Sequence, residues 1–322
     1  MAATRVSSIS NSEVKRFLTK TLAFLLPVIV FVVLCEIGLR SRMTDYKYKN
    51  QWLTEHASTV EVFVLGSSHT YSGIDPTVFS LKAFNGAHMS QDLNYDEFIL
   101  RKFAPGMDSL RYLILPISYF TPYWKLEETP DHGRVKDYML YYHCPYHRFD
   151  LSYRLEVYDG LRPLVAMKAL VGIDPPRFFS DLGQLTNYAR QLRNKNWKES
   201  GKAAAERHTD LSLDQQRYDA NLAHAKRIAA VCQEKGVTLI LLTTPTYRTY
   251  QENLMPEQLS QMHAFCRQVE SAFPNVRYLD LETDERFLED DFYDADHLNE
   301  LGARKLTQVL DNYIISPGIS GH

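Results

Sequence analysis

The 322 residues include only four cysteines, Cys35, Cys144, Cys232 and Cys266, and no two of them form a CxxC pair. That spacing provides no disulfide framework and no paired-cysteine metal motif. An excess of positive charge is also missing. The formal net charge is -3, so the basic footprint that nucleic-acid binding requires is absent and nucleic acid is not an expected partner. There is no internal repeat and no low-complexity tract, so nothing points to a repeat architecture. With 45% hydrophobic and 23% charged residues, the chain has material for one large core. One α/β domain carrying an insertion fits that length better than two independent domains.

The longest apolar run is Leu18 to Leu39, LTKTLAFLLPVIVFVVLCEIGL. As a helix it would be about 33 Å long, enough for a hydrocarbon core of roughly 30 Å. Lys20 can reach the headgroups along its own aliphatic stem, and Glu36 falls near the opposite interface. Pro27 predicts a kink. Lys15 and Arg16 ahead of the run resemble the start of a signal peptide, but no small-x-small cleavage site follows, and Leu34 stands where a lipoprotein signal at Cys35 has a small residue. The expected layout is therefore a tail (1–17), a single-pass transmembrane anchor (18–39), a polar linker (40–59) and a catalytic domain (60–316). Basic residues flank both ends of the run, so charge alone leaves the orientation open.

Past the linker, short apolar runs alternate with amphipathic stretches. Strands are expected at Val60 to Leu65, Leu81 to Phe84, Tyr112 to Ile117, Val237 to Thr243 and Val276 to Leu281. Continuous apolar runs of that length suit strands buried on both faces of a parallel sheet. Helical periodicity is clearest in Leu213 to Lys235, Pro256 to Phe273 and Asn299 to Tyr313. The order predicts an α/β fold with a flavodoxin-like, doubly wound parallel sheet. Between residues 119 and 210 the alternation fails and Tyr, Phe, His, Arg and Pro abound, which predicts an inserted helical lid.

Two segments carry chemistry. In VEVFVLGSSHTYSGIDP a strand ends at Leu65, and the turn at Gly66 presents Ser67 and Ser68. Ligands of open α/β sheets bind at the carboxyl ends of strands, so a hydroxyl there is placed for attack; the same residues are also ordinary turn formers. The second segment is Asp294-Ala-Asp-His297, followed by LNELGARKLTQVL. A spacing of three lets one turn carry both groups, with the Asp294 carboxylate on one imidazole nitrogen while the other faces a serine. Taken alone it also reads as an acidic helix N-terminus.

A nucleophile near the start of the domain, with acid and base packed into Asp-x-x-His near its end, resembles the SGNH/GDSL hydrolase family. Gly66-Ser67-Ser68 stands where that family has Gly-Asp-Ser, so the resemblance makes Ser68 the nucleophile, His297 the base and Asp294 its orienter. A Gly-x-Ser-x-Gly motif is absent around Ser68, unlike in α/β-hydrolases. The family's oxyanion donors map onto the Ser68 N–H, the Ser90 N–H in FNGAHMSQD, where the family has glycine, and the Ser118 hydroxyl in YLILPISYF, where it has asparagine. His69, Asn85, Gln91 and Tyr119 lie in or beside these blocks and are candidate substrate contacts.

With its membrane helix, the pattern is similar to SGNH-like proteins of bacterial surface-polysaccharide machinery, including those of teichoic-acid D-alanylation and alginate O-acetylation. The resemblance implies an active domain outside the cytoplasmic membrane, in the periplasm or extracellular space. It implies a serine esterase acting on O-acyl groups of carbohydrate, with no metal or organic cofactor. Polysaccharide O-acyl transfer and a non-catalytic role in a glycan assembly or export complex are the alternatives, and proteins of that machinery are the implied partners. His143, Cys144 and His147 lack a fourth ligand at metal-like spacing. Tyr119, Phe120, Tyr123, Trp124, Tyr138, Tyr141, Tyr142 and Tyr146 are expected mostly to pack the lid, with a minority facing a ligand.

Overall fold

The computed structural model describes residues 10–145, 150–159, 163–173 and 176–316. Its α-helices, in chain order, are α1 (Asn11–Ser41), α2 (Asp45–His56), α3 (Ser68–Gly73), α4 (Leu93–Phe103), α5 (Val135–Tyr141), α6 (Pro163–Leu170), α7 (Ser200–His208), α8 (Gln215–Glu234), α9 (Arg248–Gln251), α10 (Pro256–Ala272) and α11 (Glu300–Ile315). The strands are β1 (Val62–Val64), β2 (Ala83–Asn85), β3 (Tyr112–Pro116), β4 (Thr238–Thr243) and β5 (Val276–Asp280). The described residues divide into two compact units, one drawn from 1–43 and 147–176, the other from 44–146 and 177–322.

In the second unit the five strands form one parallel sheet in the order β2-β1-β3-β4-β5. The apolar runs dictate this, because β1 and β3 are buried along their whole length, as strands covered on both faces must be. Right-handed crossovers place the connections that move toward β5 on one face and the others on the opposite face. Accordingly α4 packs on α8 and α8 on α10, while α3 packs on α11. The strand order reverses between β1 and β3, and the chain leaving β1 runs straight into Ser68 at the carboxyl edge. β2 begins two residues later than the apolar run predicts, because Leu81 is only partly buried and Ala83 is the residue that pairs with Val62.

The stretch 40–59 is not a linker. It holds α2, capped by the Thr44 side chain, with Tyr46, Lys49 and Leu53 buried. Its polar composition concealed one apolar face. The Lys49 side-chain nitrogen lies 3.7 Å from the centre of the Tyr71 ring and donates to the Ala87 carbonyl, and burial lowers its pKa to about 7. Nor is 119–210 one helical lid. Residues 147–176 group with the N-terminal helix, whereas Tyr119, Trp197, Ala204 and Ala205 join the core of the sheet unit. Around those anchors lie short 3-10 turns, one opening on Pro122 and one on an Asp150 cap, alongside the short helices α5, α6 and α7.

In the first unit α1 is one helix of 31 residues. It is long and apolar enough to cross a membrane. Ser10 and Glu13 close its N-terminus as a reciprocal capping box, and it runs through Pro27 without a break. Near its end Gly38 allows α6 to come close: a Cβ there would lie 2.4 Å from the Ala166 carbonyl oxygen. Glu36 accepts the N–H groups of Glu156 and Val157 at 3.2 and 3.0 Å and pairs with Arg40. Its charge is thus satisfied by protein.

Candidate active site

Gly66 makes the turn after β1 with φ +108°, and a Cβ there would sit 2.0 Å from Pro116, so only glycine fits. Its N–H donates to Asp96 Oδ1 at 2.8 Å, which also accepts from Gln91 at 2.6 Å. Burial is the largest effect on Asp96 and, with the Asp92 charge beside it, pushes its carboxyl up to about 8 despite those bonds. Ser67 then takes the N-cap position of α3 without a side-chain capping bond, and Ser68 is the first residue of the helix. The half-buried Ser68 hydroxyl therefore stands at the point where the strand order reverses.

The other half of the site is the loop between Phe292 and Leu298, which pair across an antiparallel bridge. Asn299 fixes the loop by donating to the carbonyls of Asp290 and Phe292 at 2.7 and 3.1 Å while capping α11. Inside it, Asp294 Oδ1 accepts the N–H groups of Asp296 and His297 at 3.1 and 2.8 Å. The same carboxylate holds His297 Nδ1 at 2.9 Å. His297 Nε2 lies 2.8 Å from Ser68 Oγ, across 229 residues of sequence.

A second set of polar groups lies behind this chain. Asp296 is 2% exposed, and its Oδ2 is 3.5 Å from His297 Nδ1 and 3.6 Å from His69 Nε2. Neither His69 Nε2 nor Asp296 Oδ2 has a hydrogen-bond partner. His69 Nδ1 meets Ser118 Oγ at 2.8 Å. Burial disfavours the charged form of His297, but the carboxylates of Asp294 and Asp296 outweigh it and raise the imidazole to about 9. Burial works against ionisation of Asp296 as well, yet His297 and His69 hold it below the ordinary carboxylate range. Burial lowers His69, with Asp296 pulling the other way, and lowers His208 to about 3. An ionised Asp296 therefore faces the Nε2–H of a neutral His69, leaving His69 Nδ1 to accept the Ser118 proton.

Ser67, Ser68, Asp294, Asp296 and His297 open onto a cavity of about 880 Å³ that also touches Ser90, Phe120, Tyr123, Trp124, Tyr188 and Arg207. Ser90 lies on its wall with φ +57°, a left-handed conformation that glycine would adopt more easily. It is held by a bond from its hydroxyl to Asp131 and by the Trp124 indole N–H on its carbonyl at 3.0 Å. His69, Asp296 and His297 also bring three potential ligand atoms within 4.8 Å of one another. Both His297 nitrogens are already engaged, so this is a hydrogen-bonding cluster and not a free ligand set.

Several expected roles are not met. Ser118 does not line the cavity, since its hydroxyl is given to His69. The four candidate substrate contacts are also packed away from it. His69 is 3% exposed behind the serine. Asn85 donates to the Thr70 and Ile74 carbonyls at 2.8 and 3.2 Å, Gln91 bridges Asp96 and Tyr138, and the Tyr119 hydroxyl pairs with Thr209 at 2.9 Å. Of the aromatic group, Phe120, Tyr123 and Trp124 face the cavity; Tyr138, Tyr141 and Tyr142 are buried elsewhere, and Tyr146 lies outside the described residues, as does His147 of the His/Cys trio. Asp296 and Tyr188 were missed. The Asp-Ala-Asp-His run itself was the available sign for Asp296. No local pattern marks Tyr188, whose ring centre is 5.1 Å from that of His297.

No protein-family model matches the chain, and no curated protein matches it in sequence. Among solved structures it is similar to a protein from Streptococcus pneumonia provisionally described as a platelet activating factor. The identity is 11% and the TM-score 0.41, covering 95% of this chain and 100% of that one. Likeness at that level is too slight to bear on activity.

Proposed function

We propose that this chain is a membrane-anchored serine esterase of the SGNH type acting on O-acyl groups of carbohydrate. The observation that carries the reading is the unbroken Ser68–His297–Asp294 chain of hydrogen bonds at the wall of the cavity. Ser68 Oγ attacks the acyl carbon as its proton passes to His297 Nε2, and Asp294 keeps the proton on Nδ1 and stabilises the imidazolium. The N–H groups of Ser68 and Ser90 are the oxyanion donors; both residues line the cavity. His297 then protonates the departing sugar oxygen, leaving an acyl-serine; a water attacks it while giving a proton to His297, which returns that proton to Ser68 Oγ as the acid leaves.

Transfer to a second sugar hydroxyl is favoured by one feature, the aromatic wall of Phe120, Tyr123 and Trp124 in a cavity larger than a small acyl group needs. On this reading the site works outside the cytoplasmic membrane, alongside proteins of glycan assembly; helix α1, long and apolar enough to span a membrane, supports only the anchoring. The test gives the purified protein an activated acetyl ester with and without polysaccharide, following free acetate and acetylated glycan, alongside fluorophosphonate labelling. Ser68-dependent acetate identifies an esterase and Ser68-dependent acetyl-glycan a transferase. Neither product, with no labelling, overturns both in favour of a non-catalytic subunit.

A further inference from the structure

We propose that Asp296 is a second carboxylate serving His297, a positioning residue that sets the pH at which Ser68 becomes nucleophilic. The proposal rests on the triad reading above and deepens it. Asp294 and Asp296 are not equivalent. Asp294 spreads its charge over two main-chain N–H groups as well as the imidazole. Asp296 Oδ2 is buried with no hydrogen bond, 3.5 Å from His297 Nδ1 and 3.6 Å from His69 Nε2. A buried carboxylate in that state is costly unless a cation stands beside it.

His69 does not supply the cation. It is enclosed, its Nδ1 is occupied by Ser118, and its ring meets that of His297 edge-on at 4.9 Å. The remaining groups facing His297 are Ser68 from α3, Tyr188 at 5.1 Å between ring centres, and, from α7, Arg207 and His208. Arg207 opposes protonation of His297, and desolvation holds the half-buried His208 neutral. The imidazolium of His297 is thus the counter-charge of Asp296. When Ser68 gives up its proton, the charge that forms on His297 meets two carboxylates. The same pair keeps the resting base protonated at neutral pH, so the proton must leave before attack begins.

The test measures the rate of fluorophosphonate labelling of Ser68 in the full-length protein from about pH 5 to about pH 10. In the unaltered protein the rate should rise with pH around a midpoint above the ordinary imidazole value of about 6.5. In Asp296→Asn that midpoint should fall by roughly one to two pH units, while Asp296→Glu should keep it. A purely structural role for Asp296 would change amplitude or melting temperature and leave the midpoint in place. An unaltered-protein midpoint at or below about 6.5 overturns the proposal without any variant, and so does an Asp296→Asn midpoint that does not move. If the unaltered protein labels at no pH, the triad reading fails, and the His297 titration followed by imidazole NMR with and without Asp296→Asn decides on Asp296 by the same criteria.

Discussion

Ser118 separates what the sequence suggests from what a side chain does: the resemblance leads one to expect a side-chain oxyanion donor there, but its hydroxyl is given to His69. Ser118→Ala should therefore leave kcat within a few-fold of the parent, whereas loss of a true oxyanion donor costs roughly a hundred- to a thousand-fold; steady-state kinetics on an activated ester distinguish the two. His297 gives a second prediction. Its folded pKa, raised to about 9, lies above the unfolded value of about 6.5. The folded state thus binds the extra proton, and this contribution to stability is complete below about 6.5 and lost as pH rises through about 9. The difference in unfolding free energy between the parent and His297→Gln should be largest in mild acid and shrink steadily into alkali, as read by urea titrations across pH. The Asp294–His297 pair was legible because a spacing of three lets one turn join the two groups; Ser68, 229 residues from His297, was legible only through the resemblance of Gly66-Ser67-Ser68 to Gly-Asp-Ser. The packing roles of Asn85, Gln91 and Tyr119 were not, because the partners that claim their polar atoms are set by the fold.

Among the elements, the strands were the most legible, since continuous apolar runs admit few alternatives, and α8, α10 and α11 followed from their periodicity. Helix α2 was hidden because one buried leucine, one tyrosine and a lysine stem make a narrow face in an otherwise polar stretch. Leu53→Ala tests it: a linker position would change stability by about 0.5 kcal/mol or less, but a fully buried leucine should cost about 2–5 kcal/mol in denaturant unfolding. Helix α1 makes its own prediction. The full-length protein should stay with membranes through alkaline extraction, and a shortened soluble form beginning near residue 40 would count against the anchor. The break-up of 119–210 was not legible, because aromatic and proline-rich sequence specifies turns without saying which unit they join.

At the scale of the whole molecule, the Asp294 to His297 turn and the 229-residue separation between Ser68 and His297 put unequal demands on chain closure. The acid and base meet within one turn and are prepared by their own backbone, so they need no distant partner to find each other. The nucleophile joins them only when β1, at one end of the sheet unit's sequence, and the loop before α11, at the other, have closed a loop that takes in most of the chain. Closing so long a loop carries an entropic cost that later contacts must repay, and topologies dominated by such distant meetings fold slowly. After dilution from denaturant, fluorophosphonate reactivity should therefore return no earlier than the sheet signal in circular dichroism, and labelling that led the sheet would contradict it. If Ser68 is the reactive hydroxyl, a newly made chain would thus stay unreactive until the loop carrying Asp294 and His297 had been made and had closed on α3.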